Sequence, residues 1–256
     1  MRNFRIIFGL LVFGMLIVAV RKSLAEDRHI IEDRYIEMAT VAWEPYYGPN
    51  LLNKGYISEI TKEAFKRVGY VVDIRFMPWK RAMHDTKNGY FDGLLGLYYS
   101  DERAKWLNYS VQTASVKLVF FSIKNKNIHY KTLKDLKPYR IGTERGFVYT
   151  EAFDAADFLT KEPVKKIELN LNKLLAGRID LIVASRNVFR HMVKTRFPQK
   201  MKLIEEVPPP LTVNRLYNGF PKNKPGSEKI TGDFNKGFTM IQKDGTLEAI
   251  LRKHGF

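Results

Sequence analysis

Residues Gly89 to Arg103 read GYFDGLLGLYYSDER, and this stretch decides the fold. Phe91 to Leu97 is a short run dense in apolar residues and bounded by glycines, the pattern of a strand covered on both faces in a parallel sheet. Tyr98 and Tyr99 mark its carboxyl end. Ser100, Asp101 and Glu102 then have the chemistry of a helix start: a hydroxyl to accept an orphan amide hydrogen bond and two acids suited to the positive end of the dipole. Arg103 does not suit that dipole. A cation in a first helical turn calls for an anion, whether Asp101, Glu102 or a bound group, or else for solvent.

Working upstream, Ile36 to Ala42 reads as a first strand that delivers Trp43-Glu44-Pro45-Tyr46-Tyr47-Gly48-Pro49 at its carboxyl end, where open α/β sheets bind ligands. Gly55 to Gly69 is an amphipathic helix with Ile57, Ile60, Ala64 and Val68 on one stripe. Val71 to Phe76 is the next strand, and Pro78-Trp79-Lys80-Arg81 opens a helix that ends near Asn88-Gly89. The opening stretch is therefore the third strand of a β-α-β-α-β unit with right-handed crossovers.

Downstream, Val116 to Ile123 reads as a strand leaving this first unit. A second alternating set follows: a short helix at Leu133 to Lys137, a strand at Tyr139 to Gly142 and a helix at Val148 to Leu159. Then come a strand at Lys165 to Leu169, a helix at Leu171 to Ala176, a strand at Ile179 to Ala184 and a helix at Asn187 to Arg196. Met201 to Ile204 adds a strand, Pro208-Pro209-Pro210 forces an extended connection, and Leu211 to Phe220 is a return strand. Two helices close the chain, the first with Ile230, Phe234, Phe238 and Ile241 on one face, the second capped by Thr246. An internal echo links the halves: Gly89-Tyr-Phe-Asp-Gly-Leu-Leu-Gly and Gly177-Arg-Ile-Asp-Leu-Ile-Val-Ala share a glycine, an aspartate one residue into an apolar strand, and a small residue at its end. A cleft between the ends of those two strands is expected.

The amino terminus reads as a cleaved leader. Arg2 and Arg5 form a basic region, Ile6 to Val20 is an apolar run of fifteen, and Ser23-Leu24-Ala25 offers a cut site near Ala25. Retention as an anchor is the alternative, since Arg21 and Lys22 lie between the run and the cut. The chain has no cysteine, which excludes disulfides, thiol catalysis, cysteine-zinc sites and a lipid-modified cysteine tether. A free periplasmic protein is expected. Loss of the four leader cations takes the formal charge from +16 to +12, suited to steering anionic solutes. Nucleic acid is excluded as a partner because the basic residues are scattered among acids and form no tract.

Taken together, the Trp43-Glu-Pro-Tyr-Tyr turn, the Gly55-Tyr-Ile-Ser-Glu-Ile helix start, Asp92 and Ser100-Asp-Glu-Arg103 carry a resemblance. So do Ile141-Gly-Thr-Glu-Arg-Gly146, Gly177-Arg-Ile-Asp180 and Lys243-Asp-Gly-Thr-Leu. The chain resembles the family-three extracellular solute-binding proteins, the periplasmic receptors of polar amino-acid ABC transporters. The resemblance implies an α/β, two-lobed, type II periplasmic-binding fold with two crossing hinge strands, Val116 to Ile123 and Leu211 to Phe220. Its boundaries would be a leader at 1–25, lobe one at 26–119, lobe two at 120–213, and a return to lobe one at 214–256.

By the same resemblance, Arg103 is the arginine that grips a ligand carboxylate and Trp43 the aromatic that stacks on the ligand. Tyr46, Trp79, Arg81 and Tyr98 belong to the lobe-one wall. Gly146 and Phe147, with Val148, would offer backbone amides from lobe two. Ser185 stands where many amino-acid binders carry an aspartate for the ligand's ammonium, which shifts the expectation toward a less cationic carboxylate, a modified amino acid or a short peptide. The implied function is a monomeric receptor that closes on a small carboxylate-bearing solute and delivers it to an ABC-transporter membrane permease, with no catalytic residue, cofactor or metal. Two alternatives remain. One is a cyclohexadienyl-dehydratase-like enzyme on the same fold, for which Glu44 and Glu144 are the available acids; the other is a ligand-sensing partner of a membrane kinase.

Overall fold

The computed structural model describes residues 34–256, so the leader and the cut near Ala25 lie outside the described residues. Strand β1 (Tyr35–Thr40) alternates outward and inward at its start and then buries Met38, Ala39 and Thr40 in succession, as a central parallel strand does. It pairs in parallel with β2 (Val71–Phe76) on one side and β3 (Gly93–Tyr98) on the other. Helices α1 (Tyr56–Arg67) and α2 (Trp79–Lys87) make the crossovers, which brings the carboxyl ends of all three strands to one edge. Next come α3 (Asp101–Ala104), β4 (Leu107–Tyr109) and the ten-residue β5 (Ala114–Ile123). The second parallel set is β6 (Arg140–Glu144), β7 (Thr160–Val164) and β8 (Leu181–Ser185), with α4 (Glu151–Asp154), α5 (Ile167–Leu175) and α6 (Arg186–Arg196) around it. Strand β9 (Ile204–Pro221) and helices α7 (Ser227–Lys243) and α8 (Thr246–Lys253) complete the chain.

The sheet order is β2-β1-β3-β9-β5-β8-β6-β7, with β4 also on β9. The two parallel sets are thus joined by the antiparallel ribbon of β5 and β9. Their pairing runs from Ala114↔Leu216 to Leu118↔Thr212 and resumes from Phe120↔Val207 to Ile123↔Ile204. The prolines account for the break. Pro208, Pro209 and Pro210 have no amide hydrogen to donate, so they loop out as a bulge inside one long strand and do not end it.

The internal echo has a physical meaning. Asp92 accepts the Glu37 backbone N–H at 2.7 Å while its own N–H donates to Glu37 O at 2.8 Å. Asp180 does the same to Arg140, at 3.0 and 2.9 Å. Each aspartate clips the start of its apolar strand to the neighbouring parallel strand, and each has a lysine on its carboxylate, Lys224 for Asp92 and Lys126 for Asp180.

At the carboxyl end, α8 docks on α1 through Glu59, whose carboxylate is held by Lys253 Nζ and His254 Nε2, both at 2.7 Å. Burial alone would push the Glu59 carboxyl up, but the hydrogen-bonded Lys253 and His254 outweigh it and hold it below the usual range. Because the folded-state value is depressed, the stability contributed is present above the ordinary carboxylate range and lost as pH falls through the lowered value. Thermal melts at decreasing pH should therefore show Glu59→Gln already weakened at neutral pH and losing less than the wild type on acidification. Parallel curves would mean that the contact contributes nothing.

Four sequence expectations need correction. The helix expected at Val148 to Leu159 is only the single turn α4, started by Thr150 Oγ accepting from Phe153 N. The strand expected at Lys165 to Leu169 lies earlier, as β7, and Ile167 opens α5 instead. Pro163 is tolerated within β7 because that strand is the outer edge of the sheet. Met201 to Ile204 is mostly a 3-10 turn (Pro198–Leu203), with β9 starting at Ile204. Gly245, in the left-handed region, caps α8, and Thr246 is its first helical residue, its N–H donating to Asp244 Oδ1 at 3.0 Å.

Candidate functional site

The carboxyl ends of the parallel strands surround a cavity of about 630 Å³. One wall is the turn after β1, with Ala42, Trp43 and Glu44. The opposite wall comes from the ends of β6 and β8, the Phe147–Tyr149 loop and one face of α6. Of the sequence-predicted residues, Trp43, Phe147 and Ser185 line this space directly. Tyr46 lies behind Trp43, ring centroids 4.8 Å apart, and is fully buried. Its hydroxyl is 3.5 Å from Ser185 Oγ, so the β1 turn and the end of β8 already touch across the site. Burial raises the Tyr46 phenol above its usual value, and the hydrogen bond to Ser185 only partly offsets this, so it meets any ligand as a neutral hydroxyl.

Arg103, Tyr98 and Trp79 form a second group adjoining the first. Ser100 caps α3 as the sequence suggests, its Oγ accepting from Arg103 N at 3.3 Å. The Arg103 guanidinium does not turn to Asp101 or Glu102. Its Nη1 donates to Tyr98 O at 2.9 Å, and the group lies 5.8 Å from the Trp79 ring centre. Among the described residues no carboxylate pairs with it. The Tyr98 ring meets Trp43 edge-on at 6.0 Å, and its buried hydroxyl, with Asn214 near it, makes no hydrogen bond of good geometry among the described residues. Burial raises that phenol as well. Trp43 is thus the shared wall between the arginine group and the cavity, which Arg103, Tyr98 and Trp79 do not themselves line.

The strand that carries this group depends on one glycine. Gly96 has φ +70°, and a Cβ there would sit 2.4 Å from the Tyr47 ring, whose hydroxyl donates to Gly96 O at 2.7 Å. The pairing of β3 with β9 shifts register between Leu94 and Leu97, around this glycine.

Two expected members lie elsewhere. Arg81 is on the exposed face of α2, paired with Asp85 at 3.2 Å one helical turn away. Gly146, at φ +80°, is an exposed turn residue outside the cavity wall, and the Phe147 amide is already committed to Glu144 O at 3.2 Å. The wall holds further residues that the sequence does not mark as ligand contacts: Glu44 and Glu144, which it offers only as acids, and His191, Met192 and Thr195 from α6. Their spacing from Val188, at three, four and seven residues, is the signal that would have found them, since it marks one helical face immediately after the Ser185 strand end.

Solved structures of the same shape include the P235GK mutant of ArgBP from T. maritima, with a TM-score of 0.66 and 18% identity, covering 88% of this chain and 97% of that one. A histidine kinase sensor domain similar to periplasmic binding proteins aligns with a TM-score of 0.69 and 20% identity, over 87% of this chain and 97% of that one. The L-arginine-bound AbpA from Streptococcus pneumoniae gives 0.66 and 16%, over 89% and 97%. At these identities the likeness establishes the fold, which is the type II periplasmic-binding fold with two crossing hinge strands. A search of curated proteins found no match. Residues 38–256 match the family of bacterial extracellular solute-binding proteins, family 3, and the chain belongs to that family.

Proposed function

We propose that the protein is a periplasmic, monomeric receptor that closes its two lobes, 26–119 with 214–256 and 120–213, on a small carboxylate-bearing solute and presents it to an ABC-transporter permease. The observation that carries this reading is Arg103: a guanidinium held by Tyr98 O and Trp79, with no carboxylate on it among the described residues, beside a cavity walled by Trp43. A planar fork of donors fixed in this way suits bidentate grip of a carboxylate. Tyr46 supplies a neutral hydroxyl beside Ser185 at the cavity, and the β5–β9 ribbon is the element about which closure would turn. The structures of similar shape include AbpA bound to L-arginine, which makes amino acids the first solutes to try.

A panel of amino acids, keto acids, short peptides and other small carboxylates, read by thermal shift, tests this. At least one should raise the melting temperature, by an increment that grows with concentration as mass action requires. A silent panel overturns the reading. A second reading is favoured by the placement of Glu44 and Glu144 in the cavity wall, where an acid for a dehydratase acting on a cyclic carboxylate would stand. Conversion of prephenate or arogenate, followed by chromatography, would replace the receptor with the enzyme.

A further inference from the structure

Two contacts join the turn after β1 to the end of β8 and the helix that follows it. The first is buried: the Tyr46 hydroxyl lies 3.5 Å from Oγ of Ser185, which is 4% exposed. The second stands at the rim, where Glu44 Oε2 lies 3.5 Å from His191 Nε2 on α6, both side chains partly exposed. The turn comes from one parallel set of the sheet and α6 from the other, so a change in the angle between the sets makes or breaks both contacts.

Glu44 is held in place by its turn. Trp43 N donates to Tyr47 O at 2.7 Å and Tyr46 N to Trp43 O at 3.0 Å. The Glu44 side chain folds back over Gly48, where a Cβ would sit 2.9 Å from Glu44 Cγ, so the missing side chain at residue 48 gives it room. On α6, His191 shares the cavity face with Val188, Met192 and Thr195.

The other charged neighbours of His191 are engaged elsewhere. On its own helix, Arg186 and Arg190 both turn to Glu206 of β9, Lys194 is exposed, and Arg196 is bonded to Glu168 at the start of α5. Lys166, beside α5, is exposed. The 3-10 turn after α6 carries Lys200, which donates to Asn172 Oδ1 at 3.3 Å, and Lys202, which is exposed. Strand β8 gives the cavity Val183, Ala184 and Ser185, without a charged side chain, and burial pushes the Tyr149 phenol up to about 12, which keeps it neutral. Glu144, at the end of β6, shares the cavity and makes no ion pair among the described residues. Burial first and the charge of Glu168 second push its carboxyl up, which makes it the competing source of any pH response.

The contact at the rim changes character with pH. An imidazole becomes a cation on acidification through the neutral range, while a carboxylate stays ionised until well below it. Glu44 and His191 are therefore an ion pair in mildly acidic solution and a weak polar contact in mildly alkaline solution. We propose that Glu44 and His191 form a proton-dependent latch between the two halves of the molecule, positioning them for capture of the solute and closing the cleft more readily as pH falls. This rests on the reading of the halves as jaws that close on a solute and goes beyond it, because part of the closing force then comes from the protein itself. The Tyr46–Ser185 contact carries no charge and is the pH-independent part of the same closure.

The chain has no cysteine, so Lys105→Cys and Lys165→Cys, both exposed and one on each half, give two unique sites for nitroxide labels. Double electron–electron resonance on the ligand-free protein at low salt, at about pH 5.5 and about pH 8, reads the populations of near and far label pairs. The labelled protein should shift toward the shorter distance at the lower pH, its closed-to-open ratio rising about threefold to fivefold, the size of a partly exposed ion pair. His191→Gln and Glu44→Gln should each abolish the shift, acting from separate elements, so that either one decides the matter by itself. Glu144→Gln leaves the pair intact and should keep the shift. A distance distribution that ignores pH overturns the proposal, as does a shift that survives in His191→Gln or is lost in Glu144→Gln. Because the readout needs no ligand, the two readings fail separately: a silent solute panel beside an intact pH shift removes the receptor and leaves the latch, and a responsive panel beside a flat distance removes the latch and leaves the receptor.

Discussion

Replacing Arg103 by methionine should weaken binding of a carboxylate-bearing ligand by about 100-fold, roughly the 2–3 kcal/mol of a charge-assisted bidentate pair removed from solvent. The free protein should be nearly unaffected. Among the described residues Arg103 makes no ion pair, and its side chain donates to Tyr98 O, at the end of β3. Its guanidinium carbon lies 5.8 Å from the Trp79 ring centre, and methionine's unbranched, polarisable chain suits the same aromatic neighbour. Calorimetry with a ligand identified from the panel gives the affinity, and a melt without ligand checks the fold. Retained affinity would remove Arg103 from the site. A collapse of stability would mean that the guanidinium serves the fold and not the ligand.

The legibility of Arg103 shows what a sequence can carry about a site. Its misfit with a helix dipole is a local electrostatic fact, visible in SDER alone, and the structure resolves it without recourse to Asp101 or Glu102. Trp43 and Ser185 were legible for a related reason, since both follow apolar strands at the edge where parallel strands end. Asp92 and Asp180 were legible as an echo because each performs the same backbone clip. Arg81 misled because proximity in sequence to Trp79 is not proximity in space. Two positions along a helix turn a side chain to another face, and Asp85, four positions on, holds it there. Glu144 and His191 could not be assigned from local pattern, because their placement depends on how α6 and β6 approach the β1 turn. The same limit explains β7: a proline argues against a strand unless one knows that the strand lies at an edge.

Gly237→Ala should be the most damaging small substitution in the core, although helix propensity alone predicts the opposite sign. Gly237 is buried in α7, where alanine would be favoured over glycine by about 1 kcal/mol if nothing stood nearby. A Cβ at residue 237, however, would fall 1.9 Å from Ala64 O, a backbone atom of α1 that cannot rotate away. Relief requires the two helices to separate. That separation would loosen Phe65, which packs on Phe234 at 5.2 Å and Phe220 at 6.0 Å between centroids. Overpacking of a core typically costs about 1–3 kcal/mol, and a backbone clash sits at the upper end or beyond. The melting temperature should then fall by roughly 5–10 °C. Gly232→Ala is the internal control. It lies in the same helix, exposed, with nothing among the described residues within 4 Å of the added carbon, so propensity acts unopposed and the melting temperature should rise slightly or hold. Equal effects at the two positions would show that the α1–α7 contact yields to the added methyl without cost. A large loss confined to residue 237 would identify close helix contact as the reason that the carboxyl-terminal helices return to pack beside the amino-terminal strands.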